Sequence, residues 1–224
     1  MTLVYNIFYN LAKLLARCFF SMRVIHPERM IEEGPLILAV NHSSFFDPPL
    51  AGICSRRGVY YLARKSLSRW PFFGPLFPAM NNIFVERDGS DMSALREVMK
   101  KLREGNGVVL FPEGTRSKDG GLQPGRAGIG LIIAKTLAPV LPMRIFGAFD
   151  AFPKGSRGLR LTRITVVIGK PLYFTREEVG SGDRETYQRL SDRVMTAIAA
   201  LECPPQCPLD PTALDLPSPS LHPQ

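Results

Sequence analysis

The stretch NHSSFFDP at residues 41–48 carries His42 and Asp47, separated by four residues that include Phe45 and Phe46. A carboxylate that folds back onto an imidazole keeps one ring nitrogen protonated and orients the other as a general base. The chain offers such a base no obvious protein nucleophile: it has no G-x-S-x-G elbow, and no cysteine lies near the motif in sequence. A His–Asp pair of this kind suits direct attack by a substrate hydroxyl. The same letters also have a plain structural meaning. Asp47 before Pro48 is a natural helix N-cap with proline at the first helical position, and His42 is then a loop histidine satisfied by its neighbours. On spacing alone both readings stand.

A second polar constellation is FPEGTRS at 111–117. Pro112 and Gly114 predict a sharp turn that leaves Glu113, Thr115, Arg116 and Ser117 at the end of a strand. Arg116 offers a planar fork for a phosphate, and Thr115 and Ser117 can donate hydrogen bonds to it. Taken singly, an arginine in such a turn is also an ordinary solvated residue. Each constellation follows a continuous apolar run, LILAV (36–40) and GVVLF (107–111), of the kind expected for strands buried on both faces. Neighbouring parallel strands would bring the two loops together at the carboxyl edge of a sheet, where α/β folds build their sites.

The elements needed to position these loops are legible in the pattern. MRVIH, LILAV, VYYLA (59–63), NIFVE (82–86), GVVLF and stretches near 140–146 and 163–169 read as strands. A helix at 91–104 carries Met92, Leu95, Val98, Met99 and Leu102 on one face, with Ser90 as its cap and GNG as its stop. A small-residue helix near 126–137 and a last helix at 183–201 complete the alternation. The fold class is α/β, with a largely parallel or mixed central sheet flanked by helices.

Residues 1–22 form a separate amphipathic helix. Asn6, Asn10, Lys13 and Arg17 share one stripe, and Leu3, Ile7, Leu11, Leu14, Leu15, Cys18 and Met22 another. A spanning helix needs about 20 nearly uninterrupted apolar residues, and a central charge such as Lys13 costs about 3 kcal/mol. A helix lying in the interface is therefore preferred over one packed on the domain's own core or one crossing as a single span. Residues 23–202 form the main domain, and the proline-rich 203–224 reads as a disordered tail.

A net charge of +8 and a pI near 9.6 imply anionic partners. Nucleic acid is disfavoured by the lack of any finger, RNA-binding aromatic signature or helix-turn-helix. From Pro48 to Val85 the basic residues Arg56, Arg57, Arg64, Lys65 and Arg69 meet no acid, and they adjoin the aromatic WPFFGPLFPAM (70–80). That pairing suits an anionic membrane surface or the admission of an acyl chain, and equally a plain buried loop. Cys18, Cys54, Cys203 and Cys207 are scattered, as expected of reduced thiols on the cytoplasmic side. Cys203, Cys207 and His222 lack a fourth ligand, so no metal and no cofactor is expected.

Taken together these blocks resemble the 1-acyl-glycerol-3-phosphate acyltransferases within the glycerolipid acyltransferase superfamily. NHSSFFDP is similar to the first block, and KSLSRWPFFGPLFPAMNNIFVER to the second, with Lys65, Pro71, Gly74, Phe84 and Arg87 in order. FPEGTRS is similar to the third and APVLPMRI, with Val140 and Pro142, to the fourth. The resemblance runs over roughly 23–172 and departs at Leu67, where Glu is frequent, and at Asn82, where Gly is. It implies transfer of a fatty acyl group from acyl-CoA or acyl-carrier protein to the free hydroxyl of a lysophospholipid, giving phosphatidate from 1-acyl-glycerol-3-phosphate. It further implies His42 as general base and Asp47 as its orienting partner. Lys65, Arg87, Glu113 and Arg116 would then hold the phosphorylated acceptor, and Gly114 and Thr115 would shape that pocket. Relatives also acylate other lysolipids, such as lyso-ornithine lipid. A lipid-binding module without catalysis and a hydrolase that activates water are the readings from other classes.

Overall fold

The two continuous apolar runs, β2 (Leu36–Val40) and β5 (Gly107–Leu110), lie side by side as parallel strands in the middle of a seven-stranded sheet. Every residue of both is buried, as expected where helices cover both faces of a sheet. The structure is a computed structural model and describes residues 2–66, 80–85, 92–153, 155–156, 158–180 and 182–205. The other strands are β1 (Arg23–Ile25), β3 (Val59–Arg64), β4 (Asn82–Val85), β6 (Val140–Phe146) and β7 (Thr165–Ile168), in the spatial order β1-β7-β6-β2-β5-β3-β4.

Five neighbours, β6, β2, β5, β3 and β4, run parallel. β7 runs antiparallel to β6, and β1 parallel to β7. The sheet is therefore mixed. The reversal follows from the connection after β6, which returns along the carboxyl edge without a crossover helix. As a result, the starts of β1 and β7 share an edge with the ends of β2, β3, β5 and β6.

One face of the sheet is covered by α1 (Leu3–Phe20) and α2 (Asp47–Gly52). The other is covered by α3 (Met92–Arg103), α4 (Ala127–Thr136) and α7 (Arg184–Ala199). Two single turns, α5 (Ala148–Ala151) and α6 (Arg176–Val179), carry too few residues to show a period and were not anticipated from the sequence. α3 buries Ala94, Val98, Met99 and Leu102, while Met92 from the expected stripe is exposed. Its expected cap, Ser90, lies outside the described residues. α4 meets α7 closely because Gly130 has no side chain; a Cβ there would strike the Tyr187 backbone carbonyl.

α1 has three faces rather than two. Thr2 caps it, accepting the Tyr5 N–H at 3.1 Å. Tyr5, Tyr9, Ala16 and Phe20 are buried in the main core. The phenols also bond into it: the Tyr5 hydroxyl accepts the Val59 N–H at 3.1 Å, and the Tyr9 hydroxyl donates to the Ile53 carbonyl at 3.3 Å. The leucine-rich side that the periodicity singles out faces away from the protein. Leu3, Ile7, Leu11, Leu14, Leu15 and Phe19 are all exposed, whereas Met22, expected on the same side, lies past the end of the helix and is buried in the core. Among the described residues, no helix is long and apolar enough to cross a membrane. Residues 203–205 are irregular, and the rest of the expected tail lies outside the described residues.

Candidate functional site

β2 ends at Val40, and the chain turns on Asn41. Its buried side chain continues the sheet by itself, donating to the Ile145 carbonyl at 3.1 Å and accepting the Ile145 N–H at 2.7 Å. This amide pair anchors the loop on β6 and delivers His42 at the carboxyl edge. The imidazole Nδ1 lies 2.9 Å from Asp47 Oδ2, and its ring stacks on Phe111 at 4.0 Å with an interplanar angle of 19°. With Nδ1 engaged, Nε2 is the nitrogen left for a substrate. The His42 side chain keeps 18% exposure while that of Asp47 has none, so the imidazole can be reached and the carboxylate cannot.

Asp47 does not cap α2 as the sequence suggested. The N-cap is Phe46, with no side-chain cap bond, and Asp47 is the first helical residue. Its carboxylate turns back to the preceding loop, where Oδ2 accepts the N–H groups of Ser43 and Ser44, each at 2.7 Å, besides the His42 ring. One oxygen thus folds the loop and orients the imidazole. The loop is braced from outside as well. Ser44 Oγ donates to the Phe152 carbonyl at 2.9 Å, and the Phe46 ring sits 5.5 Å from that of Phe20 and 5.4 Å from that of Phe152.

The second constellation meets the first through the main chain. Glu113 is buried; Oε1 accepts the His42 backbone N–H at 2.9 Å, and Oε2 accepts the Gln123 N–H at 3.3 Å. The Glu113 carboxyl is pushed up to about 7, chiefly by burial and also by the charge of Asp47, against the pull of the two N–H donors. The His42 carbonyl in turn accepts the Ser117 N–H at 2.7 Å. The PEGTRS turn therefore grips His42 on both sides of its Cα. Gly114 makes this possible: its φ is +67°, a left-handed conformation that side chains disfavour, and a Cβ would come within 2.9 Å of the Arg126 side chain.

The residues expected from the sequence fall into three groups. His42 and Asp47 are brought together, and Arg116 joins them, with its guanidinium 6.0 Å from the Phe45 ring in the same loop. Lys65 lies exposed just past the end of β3, on the same edge of the sheet. Glu113 and Ser117 point inward, Ser117 Oγ donating to Asp119 at 2.8 Å, so neither side chain is presented to a ligand. Gly114 and Thr115 form the turn between them. Arg87 lies outside the described residues, as does most of the aromatic stretch 70–80. Asn41, Ser43 and Phe111 were not singled out from the sequence. Their signal is positional, each flanking a motif residue, and only the fold shows what each one bonds or stacks against. Among the described residues no group of three or more His, Cys, Asp or Glu side chains is arranged to hold a metal. The chemistry this geometry allows is proton transfer at Nε2 beside an arginine able to hold an anion.

Comparison with known proteins points the same way. A chloroplastic 1-acyl-sn-glycerol-3-phosphate acyltransferase of Brassica napus is 32% identical over 151 residues, which are 66% of this chain and 43% of that protein. The 1-acyl-sn-glycerol-3-phosphate acyltransferase of Bacillus subtilis is 23% identical over 171 residues, 76% of this chain and 83% of that one. The crystal structure of the 1-acyl-sn-glycerophosphate acyltransferase PlsC from Thermotoga maritima aligns with a TM-score of 0.67 at 25% identity, covering 87% of this chain and 81% of that one. The chain spans less than half the length of the plant relatives it matches. A family model described as Acyltransferase matches residues 21–146, more than half of the chain and a span that includes both loops at the carboxyl edge, and the chain belongs to that Acyltransferase family.

Proposed function

We propose that the protein transfers a fatty acyl group from acyl-CoA or acyl-carrier protein to the free hydroxyl of 1-acyl-glycerol-3-phosphate, giving phosphatidate. The observation that carries this reading is the 2.9 Å contact between His42 Nδ1 and the buried Asp47 carboxylate, with Arg116 beside it. In the reaction, His42 Nε2 takes the proton of the acceptor hydroxyl while that oxygen attacks the thioester carbonyl. Asp47 holds Nδ1–H and stabilises the imidazolium that forms. The tetrahedral intermediate collapses, the C–S bond breaks, and the leaving thiolate takes the proton back from His42. Arg116, Lys65 and Arg87 hold the acceptor phosphate. Gly114 and Thr115 keep Arg116 in place.

The outward face of α1 supports a second part of the proposal, that the protein lies on the cytoplasmic face of an anionic membrane. Six large apolar side chains in water on one helix face form a patch of the kind that marks an interaction surface, and the net charge of +8 favours anionic lipid. The helix stays docked through Tyr5 and Tyr9 while its other side enters the head-group region.

The test is thiol release by purified protein given a thioester donor and lysophosphatidate, with phosphatidate identified as the product. His42→Ala is expected to lower turnover by at least about 10²-fold, the scale of a lost general base. Full activity in that variant would sink the mechanism. A panel of lysolipid acceptors then separates lysophosphatidate from lyso-ornithine lipid and from lysolipids with other head groups.

A further inference from the structure

The connection from β6 to β7 is exposed and apolar where a connecting loop is usually polar. Leu159 and Leu161 are 51% and 67% exposed, within a run at 158–161 in which every residue is exposed. The fold fixes where this run lies. Arg160 N–H donates to the Ala151 carbonyl at 2.9 Å, and Ile164 N–H donates to the Phe20 carbonyl at 3.0 Å. The segment therefore stretches from the residue next to Phe152, which braces the catalytic loop, to the last residue of α1. Phe46 of the catalytic loop packs between Phe20 and Phe152. The exposed leucines thus lie on a segment tied at one end beside Phe152 and at the other to Phe20, the two rings that flank Phe46 of the His42 loop at the carboxyl edge of the sheet.

Charge identifies the occupant. No acidic residue occurs between Asp150 and Glu177, while Lys154, Arg157, Arg160, Arg163, Lys170 and Arg176 do. The first acid of the chain is Glu28, so α1 adds none. A second copy of this chain would set basic surface against basic surface. An anionic bilayer instead takes leucine side chains at the acyl boundary and guanidinium groups among its phosphates.

We infer that residues 158–163 are a second lipid-contacting element, which inserts Leu159 and Leu161 into an anionic membrane beside the His42 loop. The inference rests on the reading of α1 as a membrane-facing helix and extends it. Two contacts, one on each side of the catalytic loop, turn the carboxyl edge of the sheet toward the bilayer. A lysolipid hydroxyl can then reach His42 while its acyl chain stays in the leaflet.

The experiment uses the full chain and phosphatidylcholine vesicles containing phosphatidylglycerol. Leu159→Asp/Leu161→Asp is expected to weaken vesicle partitioning by about tenfold or more, the scale of withholding two leucines from an apolar phase. Its melting temperature and its turnover on a monomeric short-chain lysophosphatidate stay unchanged. Leu161→Trp is expected to shift its emission to the blue on adding vesicles, above the background of Trp70. Unchanged partitioning together with no shift overturns the inference. So does concentration-dependent self-association that the Asp pair abolishes, because a second copy then covers the leucines. Ile7→Asp/Leu14→Asp on α1 separates the two readings. If it releases the protein from vesicles and the loop pair does not, only this inference falls. If it too leaves partitioning intact, the membrane reading of α1 falls first.

Discussion

The loop after β2 and the turn after β5 both end buried strands, and both carry one carboxylate, yet they use it differently. Asp47 holds a ring, with Oδ2 bonded to His42 Nδ1 and to two N–H groups of its own loop. Glu113 holds a main chain, with Oε1 bonded to the His42 N–H from a different strand end. From the sequence the two motifs look like two substrate-facing sets. The fold pairs one with a reachable imidazole and makes the other mainly that residue's mount, leaving Arg116 as the part of the turn that stands beside the His42 loop. Proximity in an α/β site is thus made twice, once within a loop and once between loops, and the two can be broken separately.

The largest effect is expected where the ring itself is released. Asp47→Asn keeps an oxygen for the Ser43 and Ser44 N–H groups but removes the charge that stabilises an imidazolium, so turnover should fall by about 10²–10⁴-fold. Acceptor KM should change little. A loss confined to KM would mean that Asp47 shapes the loop without acting on the ring.

Glu113 comes next. Glu113→Ala leaves the His42 N–H buried without its acceptor, a defect of about 1–3 kcal/mol in stability, and should cost about 10–10²-fold in turnover through misplacement of the ring. Glu113→Gln retains an acceptor oxygen and should recover most of that activity. If the Gln variant is as slow as the Ala variant, charge rather than position is what Glu113 supplies, and the contrast between the two carboxylates fails.

How far these roles can be read in advance depends on whether a signal is local. The buried strands and the long helices announce themselves by period, because each packs one recurring face. Pairing of His42 with Asp47 is also legible, since both residues lie in one short loop. The grip of Glu113 on His42 joins residues 71 apart in sequence, and the letters around Glu113 look the same whether its side chain points out to a phosphate or in to an amide. α1 shows the converse. Its leucines form one coherent face in the sequence, but Tyr5, Tyr9, Ala16 and Phe20 make the one that packs. Periodicity finds a helix with two usable sides and cannot say which one the fold takes. Asp47 reads as a cap because Asp-Pro is a common helix start, yet the loop upstream supplies better donors.

A smaller effect is expected at Arg116, where the turn after β5 stands beside the reactive loop. Arg116→Lys keeps the charge and loses the planar fork, so the KM for a phosphorylated acceptor should rise about tenfold with turnover nearly unchanged. Initial rates against acceptor concentration measure this. A fall in turnover with KM intact would move Arg116 from holding the acceptor to the chemistry itself.

The smallest effect separates the two carboxylates by pH. Burial raises the Glu113 carboxyl from near 4.5 to about 7, so the folded chain binds that proton more tightly than the unfolded chain does. The resulting stability is fully present below about pH 4.5 and is lost as pH rises through about 7. Over that window the midpoint of urea unfolding should drift down with rising pH, after allowance for the other carboxylates. Glu113→Gln cannot ionise and resembles the protonated carboxyl, so its midpoint should lie near that of the unaltered protein at acid pH and fall less across the same window. Parallel curves for the two proteins would show that the buried carboxyl does not carry this proton, and that His42 is mounted on a permanently charged acceptor.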